Sequence, residues 1–346
     1  MRLADLATPA AWVDLAALNH NIDVMAATRP GPALRPHVKA FKSTALMGHV
    51  RARGNHSTTC CATLREAEGL VEAGLGTDVL VANEVLDSAR IGRIAADADA
   101  AGGRLTVAVD SAETIAAAAA ARRVGPVAVL IDVNVGLPRC GCAPTEAATL
   151  AEAARAAGLE VRGVMGYEGH VVGNDDRGWR AEQVERSMAL LRSAHDEVGG
   201  PITSAGGTGT YDLHSWVGEV QAGSYLLMDT AYRRLGLPFR QALFVEATVI
   251  SVSGDGYAVG DAGLKAFGMD HGDPEVVGSR VFFCSDEHVT FLWEQRRPVV
   301  GERIRLVPAH VDPTVAYHDR LAVVDTSDPD GGGSVVGYWD VDLRNW

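Results

Sequence analysis

The stretch Leu34-Arg35-Pro36-His37-Val38-Lys39 decides the reading of this chain. It places one lysine at the end of a short apolar strand, flanked by polar side chains and followed by a helical pattern. In an α/β protein the C-terminal end of a strand is where ligands bind. If that environment depresses the basicity of the amine, it can form a Schiff base with a carbonyl cofactor. A solvated lysine at a helix start would look the same, so Lys39 takes its meaning from the motifs around it.

Working outward, short apolar runs alternate with helical stretches from residue 10 to about 235. The runs lie at 11–14, 33–39, 57–62, 78–83, 105–110, 127–133, 161–167, 202–206 and 219–227. Between them stand Ala/Glu/Arg-rich segments with helical spacing, such as 145–157 and 179–198. Nearly continuous apolar strands alternating with helices predict a parallel sheet. About eight or nine such units fit a (β/α)8 TIM-type barrel better than an open sheet. Polar residues recur at or just beyond the strand ends: Lys39, Asn83, Asp110, Arg139, His170 and Thr208. In a barrel those ends converge on one mouth. After residue 240 helical periodicity nearly vanishes. Runs at 249–252, 257–259, 281–283, 289–292, 303–307 and 322–324, broken by Gly, Asp and Pro, read as an all-β domain, with 328–333 as a Gly/Asp-rich turn. The expected division is a barrel over 10–238 and a β domain made of 1–9 and 239–346.

The chain has 346 residues, 47% of them apolar, and a formal net charge of -13 without a Lys/Arg-rich run. That balance argues against nucleic acid or an anionic membrane as the main partner. No apolar run approaches the roughly 18 residues of a membrane-spanning helix. Met1-Arg2-Leu3-Ala4-Asp5 lacks the apolar core of a signal peptide. The five cysteines are odd in number and show no zinc-ribbon spacing, and Cys140-Gly-Cys142 is too short for the usual zinc or redox pairs. They read as free thiols in a reducing cytoplasm.

Four motifs carry chemistry. Ser204-Ala-Gly-Gly-Thr-Gly-Thr210 follows the apolar Ile202 and precedes a candidate helix, and its small residues let backbone N–H groups approach a phosphate, with hydroxyls as further donors. Gly136-Leu-Pro-Arg139-Cys-Gly offers an arginine that can donate to a phenolate or carboxylate, or pair with a surface acid. Gly166-Tyr-Glu-Gly-His170 brings a histidine to a strand end, where it could stack, donate or act as acid/base. In His310-Val-Asp312, residues i and i+2 of an extended segment share a face and could converge on one ion. Two protein ligands leave a metal open to water and substrate, and imidazole with carboxylate suits Mn²⁺, Mg²⁺ or Ca²⁺. An Asp-Pro turn with an incidental histidine is the competing reading of that pair.

Taken together, these residues resemble the D-threonine aldolase and D-serine dehydratase family, pyridoxal phosphate enzymes of the alanine-racemase fold type. The resemblance runs through Thr8-Pro9-Ala10, Asp14, Arg35 to Lys39, Ala82-Asn-Glu84, Gly136 to Gly141, Gly166 to His170, Ser204 to Tyr211, Gln221-Ala-Gly-Ser-Tyr225 and His310-Val-Asp312. It implies that Lys39 holds pyridoxal 5'-phosphate and that Arg139 contacts the ring's phenolic oxygen. It further implies that Ser204, Gly206, Gly207, Thr208 and Tyr225 hold the phosphate, with His37, Tyr167, Gln221, Gly223 and Ser224 also lining the cofactor. His310 and Asp312 become metal ligands, for Mn²⁺ first, with Mg²⁺, Ca²⁺ or Zn²⁺ as other candidates. A barrel, a C-terminal β domain and a homodimer follow from the same resemblance.

In this family aldolases typically show His-x-Asp, whereas dehydratases more often show His-x-Cys with zinc. Asp312 therefore points to retro-aldol cleavage of a D-β-hydroxy-α-amino acid into glycine, or a small amino acid, and an aldehyde. His170 or metal-bound water is the expected base. A D-serine or D-hydroxyaspartate dehydratase is the alternative, ahead of a racemase or a non-catalytic pyridoxal phosphate-binding protein. One departure stands out: the family commonly reads Lys-Thr-His-Lys where this chain has Lys39-Ala40-Phe41-Lys42. An apolar Phe41 predicts a less polar mouth and a bulkier or α-substituted substrate.

Overall fold

The computed structural model describes residues 1–294, 296–327 and 332–346. Regular structure begins with strand β1 (Ala10–Asp14) and the helix Leu15–Thr28. Seven parallel strands follow, hydrogen-bonded in chain order: β2 (Thr59–Cys61), β3 (Val79–Glu84), β4 (Leu105–Val109), β5 (Val127–Asp132), β6 (Glu160–Gly166), β7 (Ile202–Ala205) and β8 (Glu219–Val220). The connecting helices start where the chain supplies caps. Thr63, Asp87, Ser111 and Asp176 each accept a backbone N–H of the following first turn through a side-chain oxygen.

The segment 34–37 closes this sheet into a ring. Arg35 donates its N–H to Val220 O (2.9 Å) and His37 to Ala222 O (3.1 Å), while Cys60 donates to Pro36 O (2.9 Å). The segment thus pairs in parallel with both β8 and β2, completing eight staves. The sequence predicts a strand over 33–39. The pairing there consists of isolated bridges because Pro36 has no N–H to donate, and a 3-10 turn, Val38–Ala40, ends it. Cys60, Leu80, Ala108, Leu130 and Met165, one from each of five successive strands, form a buried cluster.

An ionic network crosses the barrel near the N-terminal ends of its strands. Arg35, 1% exposed, donates to Glu219 (2.7 Å) and Asp78 (3.1 Å). Arg162 donates to both Asp78 oxygens (2.9 and 2.8 Å) and to Thr106 (2.6 Å). Burial works against the Arg35 charge, but Glu219 and Asp78 more than compensate and raise its pKa. Burial likewise disfavours ionised Asp78, yet the Arg162 hydrogen bonds and the charges of Arg35 and Arg162 hold its carboxyl down to about 2.

Contacts divide the chain into two compact units, 25–39, 47–223 and 343–346 in one, and 1–24, 40–46 and 224–342 in the other. The second unit holds β9 (Leu243–Val252), β10 (Tyr257–Gly260), β11 (Glu275–Val276), β12 (Ser279–Cys284), β13 (Val289–Trp293), β14 (Arg303–Val307), β15 (Arg320–Asp325) and β16 (Ser334–Asp340). Its nine-stranded sheet runs β12-β13-β10-β9-β1-β15-β16, with β14 pairing β9 and β11. Strand β1 therefore corrects the sequence reading, which placed the run 11–14 in the alternating region. It lies antiparallel to β9 and parallel to β15. Trp12 explains the choice: it is fully buried, stacks on Phe244 (4.7 Å between centroids) and donates its indole N–H to Glu246 (3.2 Å). A short apolar run before a helix looks alike whichever sheet it joins. Strands β11 and β16 have no counterpart in the sequence reading. Of the turn expected at 328–333, residues 328–331 lie outside the described residues. Among the described residues no helix is long and apolar enough to cross a membrane.

The Asp78 network sets the acid limb of stability. Because folding lowers this carboxyl from 3.8 to about 2, its contribution is present above the higher value and is lost as pH falls through that window. Asp78→Asn should cost about 2–3 kcal/mol at neutral pH and flatten the stability change across the window. Urea titrations of both proteins at several pH values read this directly. Parallel acid limbs would show that Asp78 does not carry the effect.

Candidate active site

The barrel staves deliver the predicted residues to the C-terminal ends of the strands. Lys39 is half-buried in the 3-10 turn that follows the closing segment, and its backbone N–H lies 3.5 Å from His37 Nδ1. Burial raises the neighbouring Cys60 thiol, against the positive charges of Arg35 and Lys39. Cys60 Sγ donates to Gln221 Oε1 (3.3 Å), and Gln221 Nε2 donates to Ser204 Oγ (2.8 Å). One glutamine thus ties β2, β7 and the end of β8 together where the loop 204–210 begins.

Glycines make room for rings at this end. Arg139, exposed, lies over the Tyr167 ring with Cζ 5.5 Å from its centroid. A Cβ at Gly207 would meet that ring at 3.4 Å, and one at Gly169 at 2.5 Å. His170, exposed, packs against Gly136, where a Cβ would lie 2.7 Å from the imidazole and φ is +125°. The Asn83 amide donates to Ala62 O (3.0 Å), which ties the end of β3 to the residue after β2.

The loop 204–210 is buried throughout. Three of its amides are committed internally: Gly206 N–H to Glu168 (3.2 Å), Gly207 N–H to Thr210 Oγ1 (3.3 Å) and Thr210 N–H to Gly207 O (3.2 Å). Gly206 has φ +83°, and a Cβ there would meet His214 Nε2 at 2.7 Å. Glu168 and His214 have no counterpart in the sequence reading. The signal was a glutamate in the middle of Gly166-Tyr-Glu-Gly-His170, but its partner stands 46 positions away. A second unexpected feature is Asp132, at the end of β5. Burial and then Glu84 hold its carboxyl well above the ordinary range, against the opposing charge of Arg139.

In the β unit, His310 precedes the helix Val311–Ala316 and Asp312 lies in its first turn. The extended geometry expected from the sequence is thereby corrected: Asp229, buried, accepts the Val311 N–H (2.9 Å) and helps fix a helical start. The two side chains still meet, with His310 Nε2 3.8 Å from Asp312 Oδ2. His310 Nδ1 lies 2.7 Å from Asp270 Oδ2, and His271 stacks on His310 (3.9 Å, 9°). A carboxylate only accepts, so Nδ1 carries the hydrogen, and Nε2 is the nitrogen on the Asp312 side. Asp270, His271 and His310 offer donor atoms within 4.8 Å of one another. Ser224 Oγ is 3.5 Å from Asp312 Oδ2, and Tyr225, completely buried, packs on Phe239 at 5.4 Å. Ala40 and Phe41 are both 0% exposed, so they add no surface to an open mouth.

The donor set in the barrel suits pyridoxal phosphate: a lysine amine, an arginine, hydroxyls at Ser204 and Thr208, and a glycine cradle that a Cβ would fill. The imidazole–carboxylate pair, backed by a second carboxylate, suits a divalent metal.

Comparison with known proteins agrees with this geometry. Residues 13–231 match the family model described as "Alanine racemase, N-terminal domain", and residues 242–324 match "Putative serine dehydratase domain". The chain is 34% identical to the 3-hydroxy-D-aspartate aldolase of Paracoccus denitrificans (strain Pd 1222), over 99% of this chain and 93% of that protein. It is 32% identical to the D-threo-3-hydroxyaspartate dehydratase of Delftia sp. (strain HT23), over 78% and 75% respectively. The crystal structure of D-threonine aldolase from Filomicrobium marinum superposes with a TM-score of 0.92 at 33% identity, covering 99% of this chain and 97% of that one.

Two glycine substitutions should move stability in opposite directions. Gly206→Ala, at positive φ and against His214, should cost about 2–3 kcal/mol. Gly48→Ala, inside the helix Thr44–Gly54 with open space around it, should stabilise by about 0.5–1 kcal/mol. Thermal melts of the two variants check both signs.

Proposed function

The chain belongs to the D-threonine aldolase and D-serine dehydratase-like family of alanine racemase-fold proteins, and on that premise we propose a pyridoxal phosphate- and divalent-metal-dependent aldolase. It cleaves D-β-hydroxy-α-amino acids to glycine, or another small amino acid, and an aldehyde. The observation that carries this reading is Asp312 beside His310. An oxygen donor stands where a dehydratase of this family would more often present sulfur, and the solved D-threonine aldolase aligns over nearly the whole chain.

Lys39 would hold the cofactor through its amine, Arg139 and Tyr167 would flank its ring, and the Ser204–Thr210 loop would take the phosphate. Gly206 and Gly207 shape that loop, since their amides are committed to Glu168 and to Thr210 Oγ1. When bound, pyridoxal phosphate supplies an electron sink for bond cleavage at the substrate's Cα. His310 Nε2 and Asp312 would hold the metal, with Mn²⁺ favoured by the hard oxygen donor. That ion supplies Lewis acidity at the β-hydroxyl. Asp270 accepts from His310 Nδ1, which leaves Nε2 as the nitrogen that would bind the metal. In this reading His170, exposed beyond the strand end, would accept the β-hydroxyl proton. Five free cysteines suit a reducing compartment, and the reading takes the protein as a cytoplasmic homodimer.

Purified protein given D-threonine or 3-hydroxy-D-aspartate with Mn²⁺ should release glycine and the matching aldehyde, and EDTA should stop it. A 2-oxo acid with ammonia would assign it to the dehydratases instead. His310→Ala should abolish metal-dependent turnover, and Asp270→Ala should weaken Mn²⁺ binding about 10- to 100-fold by titration.

A further inference from the structure

The loop 206–210 hangs on a carboxylate that the proposed reaction does not use. Glu168 has no exposed surface, and neither has the His214 ring. Glu168 Oε2 accepts the Gly206 N–H (3.2 Å), while Oε1 accepts the Thr210 hydroxyl (2.6 Å) and lies 2.9 Å from His214 Nε2. A hydroxyl has one hydrogen. Thr210 gives it to Glu168, so its oxygen is free to accept the Gly207 N–H at 3.3 Å. The loop's first amide and its closing turn are therefore both fixed by one buried charge. From the other side, Arg29 donates to the carbonyls of Tyr211 and His214, holding the chain that follows the loop.

A buried carboxylate is strongly disfavoured unless donors surround it. Burial alone would raise the Glu168 pKa, but His214 and Thr210 hold it below the ordinary value. The arrangement is costly to build, and packing alone would be met more simply by apolar side chains. Its effect is to set the loop backbone before any ligand arrives, which removes the ordering cost of binding.

We propose that Glu168 and His214 are positioning residues for the cofactor's phosphate group, acting through the Gly206–Thr210 loop without touching cofactor or substrate. The proposal rests on the cofactor reading above and adds a specific consequence. Because the clamp acts on the phosphate loop, its loss should weaken pyridoxal phosphate but spare pyridoxal, which lacks the phosphate.

The test titrates the full-length apoprotein with each compound and follows bound phosphate by phosphorus NMR. Thr210→Val, which keeps the shape and removes the hydroxyl, should raise the Kd for pyridoxal phosphate about 10-fold, and Glu168→Gln about 10- to 100-fold. Both variants should bind pyridoxal within about 2-fold of wild type. The phosphorus resonance should move towards that of the free cofactor. If Glu168→Gln fails to fold, Thr210→Val decides. Unchanged affinity for pyridoxal phosphate, or an equal loss for both compounds, overturns the proposal. A wild-type protein that binds neither compound removes the cofactor reading itself, an outcome distinct from failure of the clamp.

Discussion

The barrel closes around Arg35. Its segment joins β8 to β2 through only three backbone hydrogen bonds, because Pro36 interrupts the ladder. So thin a seam leaves register weakly specified, and a slip of one residue would send every side chain to the other face. The Arg35 guanidinium removes that freedom. It is 1% exposed and meets two carboxylates, Glu219 on β8 and Asp78 ahead of β3, and Arg162 on β6 braces Asp78 in turn. Moving the segment by one residue would strand a buried cation and two carboxylates, a far larger penalty than the loss of a backbone bond.

The same constraint locates the chemistry. Lys39 follows Arg35 by four positions, in the 3-10 turn that ends the closing segment away from the ionic floor. Locking the floor therefore locks the lysine at the opposite end of the seam. The mouth has its own anchors. Gln221 spans Cys60 and Ser204, and Glu168 draws in Gly206 and Thr210. Polar networks at the two ends of the staves enclose the apolar layer of Cys60, Leu80, Ala108, Leu130 and Met165. Each network is largely buried and its partners are paired, the condition under which polar interiors specify one geometry.

Legibility in the sequence followed separation along the chain. The barrel, the lysine and the glycine-rich loop show themselves within a few residues each, since strand pattern and loop composition are local signals. The His310–Asp312 spacing was also local, and the pairing held although the backbone between them is helical rather than extended. What stayed hidden depends on partners far away. Trp12 draws β1 into a sheet with β9 and β15, more than two hundred residues on, through Phe244 and Glu246. Asp270 and His271 reach His310 from a loop with no periodicity of its own. Glu168 had a visible position but no visible purpose without His214.

The apolar pair after Lys39 gains a different meaning from its burial. A threonine and a histidine at those positions would carry polar groups, and in a fully buried setting each would need partners to offset desolvation. Ala40 and Phe41 need none, and both are 0% exposed. The less polar mouth expected from the sequence therefore does not arise from their side chains. Ala40 ends the Val38–Ala40 turn and Phe41 follows it, so both add apolar volume to the interior and leave the surface unchanged. An imidazole lost from this position must be replaced in any proton transfer it would have served, and the exposed histidine that the barrel offers at a strand end is His170, seated on Gly136. The side chains of Ala40 and Phe41 are thus withdrawn from the surface, whereas Arg139 and His170 stand exposed beyond their strands.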